Sequence, residues 1–300
     1  MSTQITTAFV QQFQNAISTL VSQEDSRLSS FVSQESVNGD KAYFEQIGTV
    51  EMIQRTTRHG DSPQVEMPHA RRQLTINDYE VGDMVDDEDL VRTLVDPTNA
   101  YTQRFAQAAL RRMDQEIIDG VFAQAKTGVA GATNEDWDAT GGSGQTIARD
   151  FASAAANAMT LKKLVEAKRL LDVGECPTED RHIALGAKQL SDLLNDNTIT
   201  SADFNSVKAL VHGDIDSFLG FQFHQSNMLT RRINPPDGDT DRRIIVWQRE
   251  GIKLGIAKPP TPNIDPARSD KSFNAYVHLK MSIGCTRMEK SRVVEIRCAE

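Results

Sequence analysis

Residues 48–128 constrain this chain more than any other stretch: a long, mostly polar segment runs directly into one unusually long helical pattern. The helix has the clearer boundaries. Asp96 supplies an N-cap oxygen, and Pro97 is pre-set for the first helical position. Tyr101, Phe105, Ala109, Met113, Ile117 and Val121 then recur every fourth residue. Leu110, Ile118, Phe122 and Ala125 widen that stripe into the pattern of an amphipathic helix. Lys126 suits the negative end of the helix dipole, and Gly128 can serve as the stop. A helix over 97–127 would run roughly 45 Å. Gly120 is its weak point, costing about 1 kcal/mol relative to Ala.

The segment before the helix reads as an arm. Leu74 and Ile76 alternate, and Tyr79 and Val81 alternate on the opposite phase, so the slip at Asn77-Asp78 predicts a bulge or bend. Val50 and Met52 alternate more weakly, and Gly60-Asp61-Ser62-Pro63 is a turn signal. These marks predict two antiparallel strands, at about 49–58 and 70–82, joined by a broad tip containing Pro63 and Pro68. An isolated two-stranded ribbon is marginal in water. It needs another surface, and the sequence offers little apolar material here for an internal one.

Charge is segregated along the arm. Arg55, Arg58, Arg71 and Arg72 are basic, whereas Asp83, Asp86, Asp87, Glu88 and Asp89 form an acidic run at its base. Three readings stand side by side. The two groups can be solvated faces that need no partner. The basic ribbon of one subunit can meet the acidic surface of another, where complementary charge sets register and partner choice. The acidic run can hold a hard cation, although it lacks EF-hand spacing.

Composition narrows the class. With 300 residues the chain can bury a substantial core, in one elaborate domain or two smaller ones. A net charge of −9 and a pI near 5.3 oppose a protein whose main task is gripping nucleic acid. Cys176, Cys285 and Cys298 show no metal or redox spacing, so each is expected as a small buried hydrophobe in a reducing compartment. No segment has the roughly 20 consecutive apolar residues of a membrane span, and no signal-peptide pattern opens the chain. Phe9, Phe13, Ile17, Leu20, Leu28 and Phe31 instead predict one or two thinly amphipathic helices that must dock on something.

Beyond the long helix the pattern is mixed. The Gly-rich stretch 131–144 reads as a loop or hairpin, without a phosphate-loop signature. Thr160 caps a helix that ends near Gly174, and a strand at 182–185 precedes helical pieces over 187–194 and 202–211. Phe221 and Phe223 alternate as in a strand, and Ile244-Ile245-Val246-Trp247 reads as a buried one. Pro259-Pro260-Thr261-Pro262 reads as a linker or boundary, and strands over 273–283 and 292–298 close the chain. His59, His69, His182, His212, His224 and His278 are scattered and belong to no catalytic motif. No nucleophile–base set emerges, so no catalytic, cofactor or metal residue is assigned.

The chain resembles the major capsid proteins of tailed bacteriophages, the α+β fold named for phage Hong Kong 97. The resemblance spans essentially the whole length. It is carried by Phe44-Glu45-Gln46-Ile47-Gly48, Arg55-Thr56-Thr57-Arg58-His59-Gly60-Asp61 and Asp78-Tyr79-Glu80, then by Asp96-Pro97 with Tyr101. Leu219-Gly220-Phe221-Gln222-Phe223, Gly284-Cys285-Thr286-Arg287-Met288-Glu289 and Val293-Val294-Glu295-Ile296 complete it. The resemblance implies an N-terminal arm over 1–48 and an extended E-loop over 49–93. It implies a peripheral domain over 94–157 and 261–300 around a spine helix at 97–127, and an axial domain over 158–260. It further implies hexamers and pentamers of an icosahedral shell around double-stranded DNA, with no catalysis and no membrane. The expected partners are other copies, a separate scaffolding protein, a portal and a possible cement protein. The expected place is the virion, after assembly in the host cytoplasm.

The expected contacts between subunits involve Arg55, Arg58, Arg71, Arg72, Asp86, Asp87 and Glu88. Some relatives cross-link covalently through an E-loop lysine. Here no lysine lies between Lys41 and Lys126, so a non-covalent shell is expected. Two other readings are an encapsulin-like compartment and a soluble metal-dependent enzyme using the Asp83–Asp89 run.

Overall fold

The computed structural model describes residues 25–58, 60, 62, 64–85, 98–137, 144–152, 158–195, 217–234, 239–265 and 275–299. In chain order the first half contributes β1 (Ser33–Ser36), β2 (Lys41–Ile47), β3 (His69–Thr75), β4 (Asn77–Val85) and helix α1 (Thr98–Phe122). β5 (Ala125–Thr127), β6 (Thr133–Glu135), β7 (Thr146–Ile147), α2 (Leu161–Val173), β8 (Arg181–Leu185) and α3 (Ala187–Leu194) follow. The chain closes with β9 (Ser217–Phe218), β10 (Phe221–Gln225), β11 (Arg231–Asn234), β12 (Asp239–Gln248), β13 (Ile252–Asp265), β14 (Ala275–Arg287) and β15 (Val293–Ala299). Two compact units result. The larger comprises Ser26–Asn77, Arg112–Ala257 and Ile283–Glu300; the smaller comprises Met1–Asp25, Asp78–Arg111 and Lys258–Ser282.

The larger unit is built on a sheet of order β7-β15-β12-β8-β10-β9, with β11 paired to β12. β12 is its centre, antiparallel to both β15 and β8. Every residue from Asp241 to Gln248 is buried, which accounts for the unbroken apolar run Ile244–Trp247. Helix α2 packs on β15 through Leu164, Ala167 and Leu171, an i, i+3, i+7 stripe. Thr160 does sit at its N-cap with extended backbone, but its side chain makes no capping bond. A second sheet, β2-β3-β5-β6, is antiparallel throughout. In the third sheet the order is β1-β13-β14-β4, and β1 lies parallel to Lys253–Ile256 of β13.

Helix α1 differs from its expected span. It ends at Phe122, and Ala125–Thr127 forms a strand that pairs with Arg72 and Gln73 of β3. Ala125 is buried in that strand, so a sheet edge takes residues that the helical period also fits. Gly128 does not stop the helix; at φ +93 it turns β5 toward β6. Met113, Ile117, Ile118 and Val121 are buried as the stripe predicts. Gly120 is a point of close approach. A Cβ there would lie 2.8 Å from Cys285 Cβ and 2.9 Å from its carbonyl oxygen.

The arm is also shifted. Its first strand is β2, Lys41–Ile47, and no regular structure occurs in the described residues of 49–58. Register runs from Lys41 opposite Thr75 to Ile47 opposite His69. The phase slip at Asn77-Asp78 is the place where the chain leaves one sheet for another, from β3 to β4. The proline run 259–262 lies inside β13 rather than in a linker. β1 covers β13 only over Lys253–Ile256, so among the described residues that edge is open where the prolines occur, as strands require of proline. The two units divide between Ala257 and Lys258.

Candidate assembly interface

The loop between β2 and β3 is closed at its neck. Gly48 N donates to Pro68 O at 2.8 Å, and a Cβ on Gly48 would lie 2.6 Å from Pro68 Cγ, so glycine is required there. Beyond the neck every described residue of 49–68 is exposed. Val50, Val65 and Met67 are among them, with Ile53 62 % exposed and Met52 fully so. Buried apolar side chains of this size contribute roughly 1.5–3 kcal/mol each. Leaving several of them in water on one loop marks an interaction surface.

The four arginines divide by environment. Arg55 donates to the carbonyls of Thr57 (2.9 Å) and Arg58, which folds a local turn at the tip; Arg58 is itself exposed. Arg71 forms a cross-strand ion pair with Glu45, its register partner, and donates to Val129 O at 3.2 Å. Its side chain stays partly exposed. Arg72, one residue on, faces inward. Its Nε and Nη2 donate to Met288 O at 3.0 and 2.7 Å, and Nη1 pairs with Glu135 at 2.7 Å. Arg72 is therefore engaged within the chain and has no face to offer a neighbour. Asp86, Asp87 and Glu88 lie outside the described residues, as do Asp96, Pro97 and the N-terminal stripe before Leu28. Among the described residues no group of three or more His, Cys, Asp or Glu side chains could hold a metal ion.

The larger unit also holds a framework of buried charges that no pattern in the sequence announces. Glu295 is fully buried and accepts from Arg243 Nε (2.6 Å), Trp137 Nε1 (2.6 Å) and Arg297 Nε (3.2 Å). Burial opposes its charge, but the hydrogen bonds and charges of Arg243 and Arg297 outweigh burial and hold its pKa below the ordinary value. Arg287, also fully buried, donates to Val121 O and Glu135 O and lies over the Trp137 ring; burial lowers its pKa to about 10. Lys163 donates to Arg149 O and Arg297 O, and burial lowers its pKa too. Cys176 and Cys298 are buried thiols and Cys285 is half-buried, all free; burial pushes Cys298 up to about 12.

A family model described as phage capsid protein matches residues 5–300, and the chain belongs to that family. The capsid structure of the cyanophage P-SCSP1u is similar at a TM-score of 0.76 and 17 % identity, covering 100 % of this chain and 96 % of that one. The capsid of Ralstonia phage GP4 gives 0.71 and 11 % over 97 % and 95 % of the two chains. A structure from Mycobacterium phage Che8 gives 0.70 and 15 % over 96 % and 97 %. No curated protein matches the chain. The fold is the Hong Kong 97-type capsid fold, and the protein is a structural, non-enzymatic capsid subunit of a virion. These matches lend nothing to the metal-enzyme or encapsulin-like readings.

Proposed function

We propose that the subunit assembles into hexamers and pentamers of an icosahedral shell enclosing double-stranded DNA, with the 48–68 loop of each copy lying on a neighbour. The observation that carries this reading is the loop itself, clamped at Gly48 and Pro68 and exposing Val50, Met52, Ile53, Val65 and Met67. Heterologous contacts of this kind close into rings and shells. In this reading 1–48 is the N-terminal arm, 49–93 the E-loop, 94–157 with 261–300 the peripheral domain, and 158–260 the axial domain. Arg55, Arg58 and Arg71 steer the loop toward the acidic Asp86, Asp87 and Glu88 of a neighbour, while the apolar side chains supply the affinity. Arg72 has no part in that contact. DNA is enclosed rather than gripped, in keeping with the net charge of −9. A separate scaffolding protein, a portal and a cement protein complete the assembly, which takes place in the host cytoplasm.

Negative-stain microscopy of concentrated protein tests the reading directly. Shells or capsomers are expected. A discrete small oligomer under all conditions would overturn it. The variant Met52→Asp/Ile53→Asp should retain the circular dichroism and melting temperature of the parent and form no shells; normal shells from it would sink the role given to the loop.

A further inference from the structure

The sequence leaves His182 and His224 as unrelated histidines, and the structure joins them. β8 and β10 run parallel, with Gln222 opposite His182 and His224 opposite Ala184. The rings meet across the strands, Nδ1 of His182 lying 3.1 Å from Nε2 of His224. Phe31 stacks on His224 with centroids 3.8 Å apart and lies 5.2 Å from His182. Trp247 completes the cluster at 5.6 and 6.0 Å from the two imidazoles, and its Nε1 donates to Phe31 O at 3.0 Å.

Phe31 belongs to a strap that crosses the larger unit. The strap begins where Asp114 accepts from Ser26 Oγ, Arg27 N and Leu28 N, and it ends in the four-residue pairing of β1 with β13. Leu28, Val32 and Val37 are buried along it. We propose that the imidazole pair and Phe31 form an acid-sensitive latch that holds the strap, residues 26–37, on the main sheet and releases it when both rings are protonated.

The chemistry follows from the two facing nitrogens. A neutral pair needs one N–H between them, and so does a singly protonated pair; two protons there point at one another. The site has little to offer a charged ring. His182 is buried and its Nε2 has no partner. Asp180 favours the charged form of His182, Arg249 opposes it, and His224 feels His182. From the strap, Arg27 donates to Gln225 O at 2.6 Å and brings another positive charge to the residue after His224. Burial lowers both imidazoles to about 4 from 6.5. The released strap leaves the rings in water with ordinary affinity for protons. The hold is therefore complete above pH 6.5 and is lost progressively as pH falls from there toward 4.

Hydrogen exchange read by mass spectrometry on full-length subunits, corrected for the intrinsic pH dependence of exchange, tests the latch. Protection of 28–37 should fall by about tenfold or more between pH 7 and pH 4.5, while α2 stays protected. His224→Gln should flatten that dependence. Unchanged protection of 28–37, loss of α2 protection in step with it, or an identical pH profile in H224Q would each overturn the proposal. Should H224Q not fold, exchange at the imidazole C2–H of the parent protein decides. Values for both rings below about 5 support the latch, and values near the ordinary 6.5 end it.

Discussion

At Gly120, helix propensity and packing pull in opposite directions. By propensity, Ala would improve α1 by about 1 kcal/mol. By geometry, its Cβ would lie 2.8 Å from Cys285 Cβ and 2.9 Å from the Cys285 carbonyl oxygen, and neither can move aside without the strand. Overpacking of this kind costs about 1–3 kcal/mol. Gly120→Ala should therefore lower stability by up to about 2 kcal/mol in urea unfolding, the packing cost less the propensity gain, and a stabilised variant would refute the packing account. Arg71 and Arg72 make a second contrast, because adjacent strand positions face opposite ways. Arg72→Met strands Glu135 and Met288 O and should cost about 2–3 kcal/mol. Arg71→Glu should leave urea stability within about 1 kcal/mol of the parent and act on assembly instead. Glu295 adds a pH dependence of its own. Its folded pKa is depressed below 4.5, so its contribution is present above that value and disappears as pH falls through the lower, folded one. Glu295→Gln should therefore melt earlier at pH 7, with a gap to the parent that narrows in acid. None of these inward roles was legible in the sequence, because an arginine or glutamate in a strand reads the same whether it faces water or a buried partner.

Elements were legible where a single period ran uninterrupted. The stripe of α1, the helix Ala187–Leu194 and the buried strand around Ile244–Trp247 match their patterns. The misreadings share one cause, a partner strand supplied from far along the chain. Ala125–Thr127 left the helix for the edge of β3, and β2 formed eight residues before the expected 49 because its partner is fixed by the register of Lys41 with Thr75. The prolines of β13 read as a linker or boundary because sequence cannot say which edge of a strand is open. The 49–67 loop is a separate module hanging from the Gly48–Pro68 clamp. Replacing 50–66 with a short Gly-Ser turn should leave the melting temperature within a few degrees of the parent, because the described loop residues are all exposed. A large loss of stability would show that the loop packs on its own chain.

For the whole molecule, family and fold were within reach of the sequence because the resemblance spread over the full length, whereas the arrangement of the buried charges required coordinates. The absence of lysine between Lys41 and Lys126 has a direct readout in assembled particles. Boiled in SDS, they should run as single subunits, and a ladder of covalent oligomers would contradict the non-covalent shell. The prolines of β13 bear on the time before assembly. Shell subunits accumulate to high concentration before they close, which is when open strand edges on different molecules can pair without limit. Pro260 and Pro262, two positions apart and so on one side of the strand, remove two backbone donors from one edge, and Pro259 removes one from the other. They protect the pool of waiting subunits from growing into fibres, and so leave closure into a shell as the outlet for association.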